Sequence, residues 1–178
     1  MRSSVIFTVF TVLSVTLTGA APINRRALTL LAYNDMSISS GVGGNAEAEA
    51  KAVWEAGLDL SNLAAISDAD LDILKVERSN AENAETEAFN PAIDTASGAD
   101  ADALQVGKIK NKVLKLTGLA QIRQIGIAKK EAAGQTVSAS DKAALDDSLT
   151  KLAKNIATDK KNAGKASKAV DFVGQTSV

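Results

Sequence analysis

Three carboxylates, Asp68, Asp70 and Asp72, fall within one short stretch, and Asp146 stands directly beside Asp147. Paired carboxylates hydrolyse glycosides when both converge on one bond, one as acid and the other as base or nucleophile. On a helix, neighbours one or two residues apart point in different directions, so these pairs do not converge. Helix solubility and the dipole at a helix N-terminus account for them better. The Asp68 cluster also lacks the central Gly and terminal Glu of the twelve-residue calcium loop. Histidine and cysteine are both absent, which removes Ser-His and Cys-His nucleophile pairs and ordinary zinc sites. The glycines at Gly41, Gly43 and Gly44 are followed by no Gly-Lys-Ser/Thr and preceded by no strand pattern, so a phosphate cradle is not expected. The sequence predicts no catalytic residue, no metal and no cofactor.

What remains is chemistry of binding. Lys108, Lys110, Lys112 and Lys115 alternate with Ile109, Val113 and Leu114, a basic amphipathic pattern that suits an acidic lipid surface or a nucleic-acid backbone. No aromatic residue interleaves to stack on bases, which argues against nucleic acid. The ordinary alternative is a solvated helix face opposite an acidic helix, and the same holds for Lys160, Lys161, Lys165 and Lys168. Charge distribution favours that alternative. Residues 27–105 carry three basic against fifteen acidic side chains, a net of −12, and residues 106–178 carry fourteen basic against six acidic, a net of +8. Two such halves satisfy one another when folded together, and nucleic-acid binders are usually basic overall. Trp54, the one tryptophan, is either a plug closing one end of a helical core or an exposed anchor for a partner.

Elements must hold these residues in place, and the chain begins with a stretch that is not one of them. Arg2 precedes an apolar and hydroxyl run from Val5 to Leu17, closed by Thr18-Gly19-Ala20. This predicts a secretory signal peptide over residues 1–20, cut after Ala20. A spanning helix needs about 20 strongly apolar residues, whereas this run is shorter and laced with Ser and Thr, so stable membrane insertion is not expected. Arg25-Arg26 lies in a short Pro-containing segment and is either a second processing site, making residues 21–26 a propeptide, or a solvated pair. Export without cysteine leaves stability to helix packing alone.

Alanine occurs 32 times in the chain, a composition suited to helices whose backbones approach closely. No alternating β-branched or aromatic run follows the signal, so the fold class is all-α. Residues 27–44, rich in Gly and Ser, read as a flexible N-terminal arm, and residues 45–178 as the helical domain. Asn45 is expected to cap a short helix to about Ala56. A second helix runs from Asp68 to about Ala88, with Leu71, Leu74, Ala81, Ala84 and Ala88 inward and Glu77, Glu82, Glu85 and Glu87 mostly toward water, until Asn90-Pro91 breaks or kinks it. A third spans about 99–130 on Val106, Ile109, Val113, Leu116, Ala120 and Ile127. The last begins near Ser140 and carries the seam Leu145, Leu149, Leu152, Ile156, Ala163, Ala166, Val170 and Val173, with Asp159 its single polar member. The expected architecture is an antiparallel bundle of three long helices plus a short N-terminal helix.

Three stretches carry a family resemblance: Ser37 to Ala46 (SISSGVGGNA), Ser67 to Leu71 (SDADL) and Ala103 to Leu116 (ALQVGKIKNKVLKL). They resemble a group of fungal small secreted proteins, and the likeness covers most of the chain after the signal. The resemblance implies fungal origin and secretion, and it transfers no catalytic residue. The expected function is a secreted, non-enzymatic helical protein acting by binding, as an effector or a cell-wall-associated factor, with an unidentified extracellular protein or surface as partner. The alternative is a carrier whose helices open over lipid or a hydrophobic solid, in peripheral contact only.

Overall fold

One 35-residue helix organises the chain, because its length and its close-set small residues let three other helices lie on it. The computed structural model describes residues 28–178. The processing readings at Ala20, Arg25 and Arg26, and the signal and propeptide segments, lie outside the described residues. In chain order the elements are α1 (Tyr33–Met36), β1 (Gly41–Val42), α2 (Ala46–Trp54), a 3-10 turn (Leu63–Ala65), α3 (Asp68–Asn83), a π-turn (Ala84–Phe89), α4 (Asn90–Thr95), α5 (Gly98–Ala132), α6 (Ala139–Lys161) and β2 (Ala166–Ser167). The fold is all-α, and α2, α3 and α6 all pack on α5.

Helix starts follow the expected chemistry at two places. Ser67 Oγ accepts from the Asp70 amide at 3.0 Å, and Ser138 with Asp141 forms a reciprocal capping box at α6. The Lys130 ammonium and the Ser138 bonds hold the Asp141 carboxyl down to about 2. The helix begun at Asp68 passes Asn90-Pro91 instead of stopping. Proline lacks an amide donor and crowds the carbonyl four residues back. The π-turn immediately before it widens the backbone there, so α4 continues with Pro91 in its first turn.

Of the stretch 27–44, expected as a flexible arm, the described residues 28–44 contribute to the core. Tyr33, Met36 and Ser39 are fully buried, and the Phe172 ring meets Tyr33 edge-on at 5.6 Å between centroids. A run of Gly and Ser is cheap to bend as well as to disorder, and here bending brings backbone close to α5 and to the C-terminal segment.

The last helix is shorter than its sequence pattern. It ends at Lys161, Gly164 takes φ +78°, and the chain turns extended, with β2 pairing antiparallel to β1 in the register Gly41↔Ser167 and Val42↔Ala166. Ala163 and Ala166 therefore leave the expected seam, and Val173 is 86% exposed. Small alanines offer little apolar area to hold that segment helical against α5. Extended, it gains Ser167 Oγ donating to the Ser39 carbonyl at 2.6 Å and the Lys168 amide donating to the Ala103 carbonyl at 3.0 Å.

Trp54 is the plug, 1% exposed, its indole N–H donating to the Leu114 carbonyl at 2.8 Å. The ring lies flat on Gly118: a Cβ there would come within 2.3 Å of Trp54 Cζ2, whereas one at Gly126, two turns on, meets nothing within 4 Å. Two substitutions on one helix thus have opposite signs. Gly118→Ala is expected to lower the unfolding free energy by about 1–3 kcal/mol through overpacking. Gly126→Ala is expected to raise it by about 0.5–1 kcal/mol through helix propensity. Urea denaturation of both variants checks the contrast, and equal effects would contradict the packing account.

Candidate functional site

The basic stretch of α5 is turned inward and paired. Lys110 is 1% exposed, its ammonium donating to the carbonyls of Ser40 at 2.9 Å and Val42 at 3.1 Å and pairing with Glu49 at 2.9 Å. Lys115 pairs with Glu85 at 2.6 Å, Lys112 reaches the same carboxylate at 3.3 Å, and Lys108 donates to the Asn90 side-chain oxygen. Burial pushes the Glu85 carboxyl up, but the Lys115 bond and charge, joined by Lys112, outweigh it and hold it below the usual range. Lys129–Asp68, Lys160–Glu47 and Lys168–Asp100 also join the acidic half to the basic half. Trp54 and the four lysines are not brought together as one exposed patch. Trp54 ends α2 with its ring against Gly118, and the lysines face α2, α3, the π-turn, α4 and the loop before α2.

A second set of buried polar groups fastens the segment before α2. Asn45, expected as the cap of α2, makes no side-chain capping bond. Asp159 does the work from the far end of α6: fully buried, it accepts from the Gly44 amide at 3.0 Å and the Ala46 amide at 2.9 Å. A carboxylate at a helix N-terminus meets both orphan donors and the positive end of the dipole. Tyr33 Oη donates to Asn111 Oδ1 at 2.9 Å and Asn111 Nδ2 donates to the Ala81 carbonyl at 2.8 Å, tying α1 to α5 and α3. Burial pushes the Tyr33 hydroxyl up.

Among the concave surfaces of the described residues, two are walled mainly by large apolar side chains. One is a groove of about 480 Å³ where Leu60 and Leu63 face Leu149 and Leu152 across Ala120, with Thr117, Gln121 and Gln124 among its walls. Leu60 is 47% exposed and Leu149 39%. Gln121 is held by donating to the Trp54 carbonyl at 3.1 Å. The other is a cleft of about 300 Å³ between residues 28–31, α2 and α3, with Glu77 in its wall. Glu77, expected to point to water, is 5% exposed and accepts from the Leu31 amide at 2.8 Å. Burial pushes its carboxyl up, and the Leu31 bond offsets only part of that. The sequence held the signal: Glu77 stands three residues after Leu74 and four before Ala81, on the buried face.

These surfaces suit binding. Asp68 is engaged with Lys129, and Asp146 and Asp147 are exposed on α6. Among the described residues no group of three or more His, Cys, Asp or Glu gathers to hold a metal, and no helix is long and apolar enough to cross a membrane.

A family model described as Domain of unknown function (DUF8454) matches residues 28–171, and the chain belongs to that family. No curated protein and no solved structure matches it. The match begins at Leu28 and so takes in the segment 28–44 that the core requires.

Two outcomes follow from the buried carboxylates. Asp159→Ala leaves two amides without their acceptor and is expected to cost about 2–4 kcal/mol in urea unfolding, against little change for Asp147→Ala on the exposed face. Glu77 behaves oppositely. Its raised carboxyl favours the folded state most below the ordinary carboxyl range, and that contribution is lost as pH rises through the folded value. Glu77→Gln keeps an acceptor for Leu31, so at pH 7 it is expected to raise the urea midpoint, with the gain shrinking as pH falls toward about 4. A gain that grows on acidification would contradict the assignment.

Proposed function

We propose that this member of the family is an exported, non-enzymatic helical protein that acts by binding outside the cell, as a fungal effector or a cell-wall-associated factor. The signal-like start of the chain supports export. The observation that carries the binding reading is the groove between Leu60, Leu63, Leu149 and Leu152. Its leucines, the amides of Gln121 and Gln124, and the charged Lys51 and Glu55 at its wall suit contact with a partner's side chain or a polymer, and large exposed leucines around one concavity are uncommon without such a role. The reading takes α3, α5 and α6 as three long helices of one antiparallel bundle that presents this groove.

A second reading, a carrier for lipid or a hydrophobic solid, is favoured by the shallow seating of α6. Only Ser148 and Asp159 of that helix are fully buried, so lifting the part that precedes Asp159, with the Asp159 bonds kept, uncovers apolar surface at modest cost.

Protein purified from secretion, with its N-terminus sequenced, separates the readings. It is incubated at low salt with neutral and anionic liposomes, with hydrophobic particles, and with isolated wall polymers, beside the Leu60→Glu and Leu149→Glu variants. Retention on a wall component that both variants lose at least tenfold supports the first reading. Sedimentation with particles or liposomes supports the second. A chain retained in the cytosol, or one bound to nothing in any arm, overturns both.

A further inference from the structure

We propose that the cleft between residues 28–31, α2 and α3 is a binding site for a short aliphatic amine, whose ammonium pairs with the Glu77 carboxylate while its chain lies against Leu28, Val53, Leu74 and Trp54. The cleft is separate from the groove discussed above and does not depend on it. Glu77 is the one ionisable side chain in its lining. The residue is 5% exposed, and among the described residues its carboxylate has a single partner, the Leu31 amide at 2.8 Å on one oxygen. The other oxygen faces no protein donor there.

The contrast with the other buried charges gives the argument its weight. Lys110 has two carbonyls and Glu49, and Asp159 has two backbone amides. A buried charge is retained when it is paired and hydrogen-bonded. Of these three residues Glu77 has one hydrogen bond and no cationic partner among the described residues, and burial holds its carboxyl above the usual range. A carboxylate kept in an apolar wall at a cost to stability is the pattern of a site awaiting its counter-charge. An ammonium supplies the missing charge and up to three donors. A carboxylate ligand would meet like charge, and a neutral alcohol would leave the charge uncompensated. The volume, about 300 Å³, lies at the small end of the range for small-molecule sites, roughly 300–1,000 Å³. That limits the ligand to a short chain.

Trp54 lines the cleft and is the chain's sole tryptophan, so its fluorescence reports occupancy. The secreted protein is titrated at pH 7 with n-octylamine, and in parallel with octanoate and octanol. The expected result is a saturable change in Trp54 emission with octylamine, and affinities at least tenfold weaker for octanoate and octanol. Glu77→Gln, which retains the Leu31 bond, should weaken octylamine at least tenfold. Ala56→Phe, at the exposed rim, should block it while circular dichroism stays unchanged. Equal affinity for octanoate, an unaltered Glu77→Gln variant, or no saturable response of the wild type to octylamine would each overturn the proposal.

Discussion

The Asp159 carboxylate is the constraint on which the rest of this structure depends. It joins the end of α6 to the amides of Gly44 and Ala46, 115 and 113 residues earlier, and so fixes where α2 begins. Once α2 is placed, Trp54 at its last turn is carried over Gly118 and its indole meets the Leu114 carbonyl. The same clasp brings residues 39–43 beside α5, where Lys110 reaches the carbonyls of Ser40 and Val42. Small domains with thin cores commonly rely on disulfides to restrain such distant segments. This chain has no cysteine, and buried charge-assisted hydrogen bonds between backbone and side chain provide the restraint instead.

The uneven charge distribution belongs to the same logic. An acidic first half and a basic second half meet along α3 and α5, where Lys112 and Lys115 share Glu85 in a half-buried pair. The exposed pairs Lys168–Asp100 and Lys160–Glu47 add little stability individually, because water and salt screen them. Their effect is on orientation: like-charged alternatives are disfavoured, and the C-terminal segment is drawn to the start of α5. Lysines that resemble a membrane- or nucleic-acid-binding strip are thereby turned into an internal fastening, whereas the buried Glu77 has no cationic partner among the described residues.

Much of the fold was legible in the residues. Alanine content, the absence of alternating patterns and helix periodicity place α3, α5 and the start of α6 within a few residues, because these are local properties. Part of the inward face of α5, Val106, Val113, Leu116 and Ala120, was equally legible. The end of α6 was not, since a heptad of small residues is compatible with both a helix and an extended strap. Residues 28–44 were misread for a related reason: glycine and serine lower the cost of bending, and only a partner surface shows whether a bend is used.

The sequence by itself determined the class of the fold, the positions of its helix starts, and the exclusion of histidine and cysteine chemistry, all of which depend on residue type and short-range spacing. Tertiary structure alone decided that Asp159 caps a helix it does not belong to, that Lys110 points inward, and that Glu77 lies in the wall of a cleft. Those roles are set by groups tens of residues away in the chain, and burial reverses the meaning of a charge: the same side chain that solvates a surface becomes, once desolvated, a demand for a specific partner.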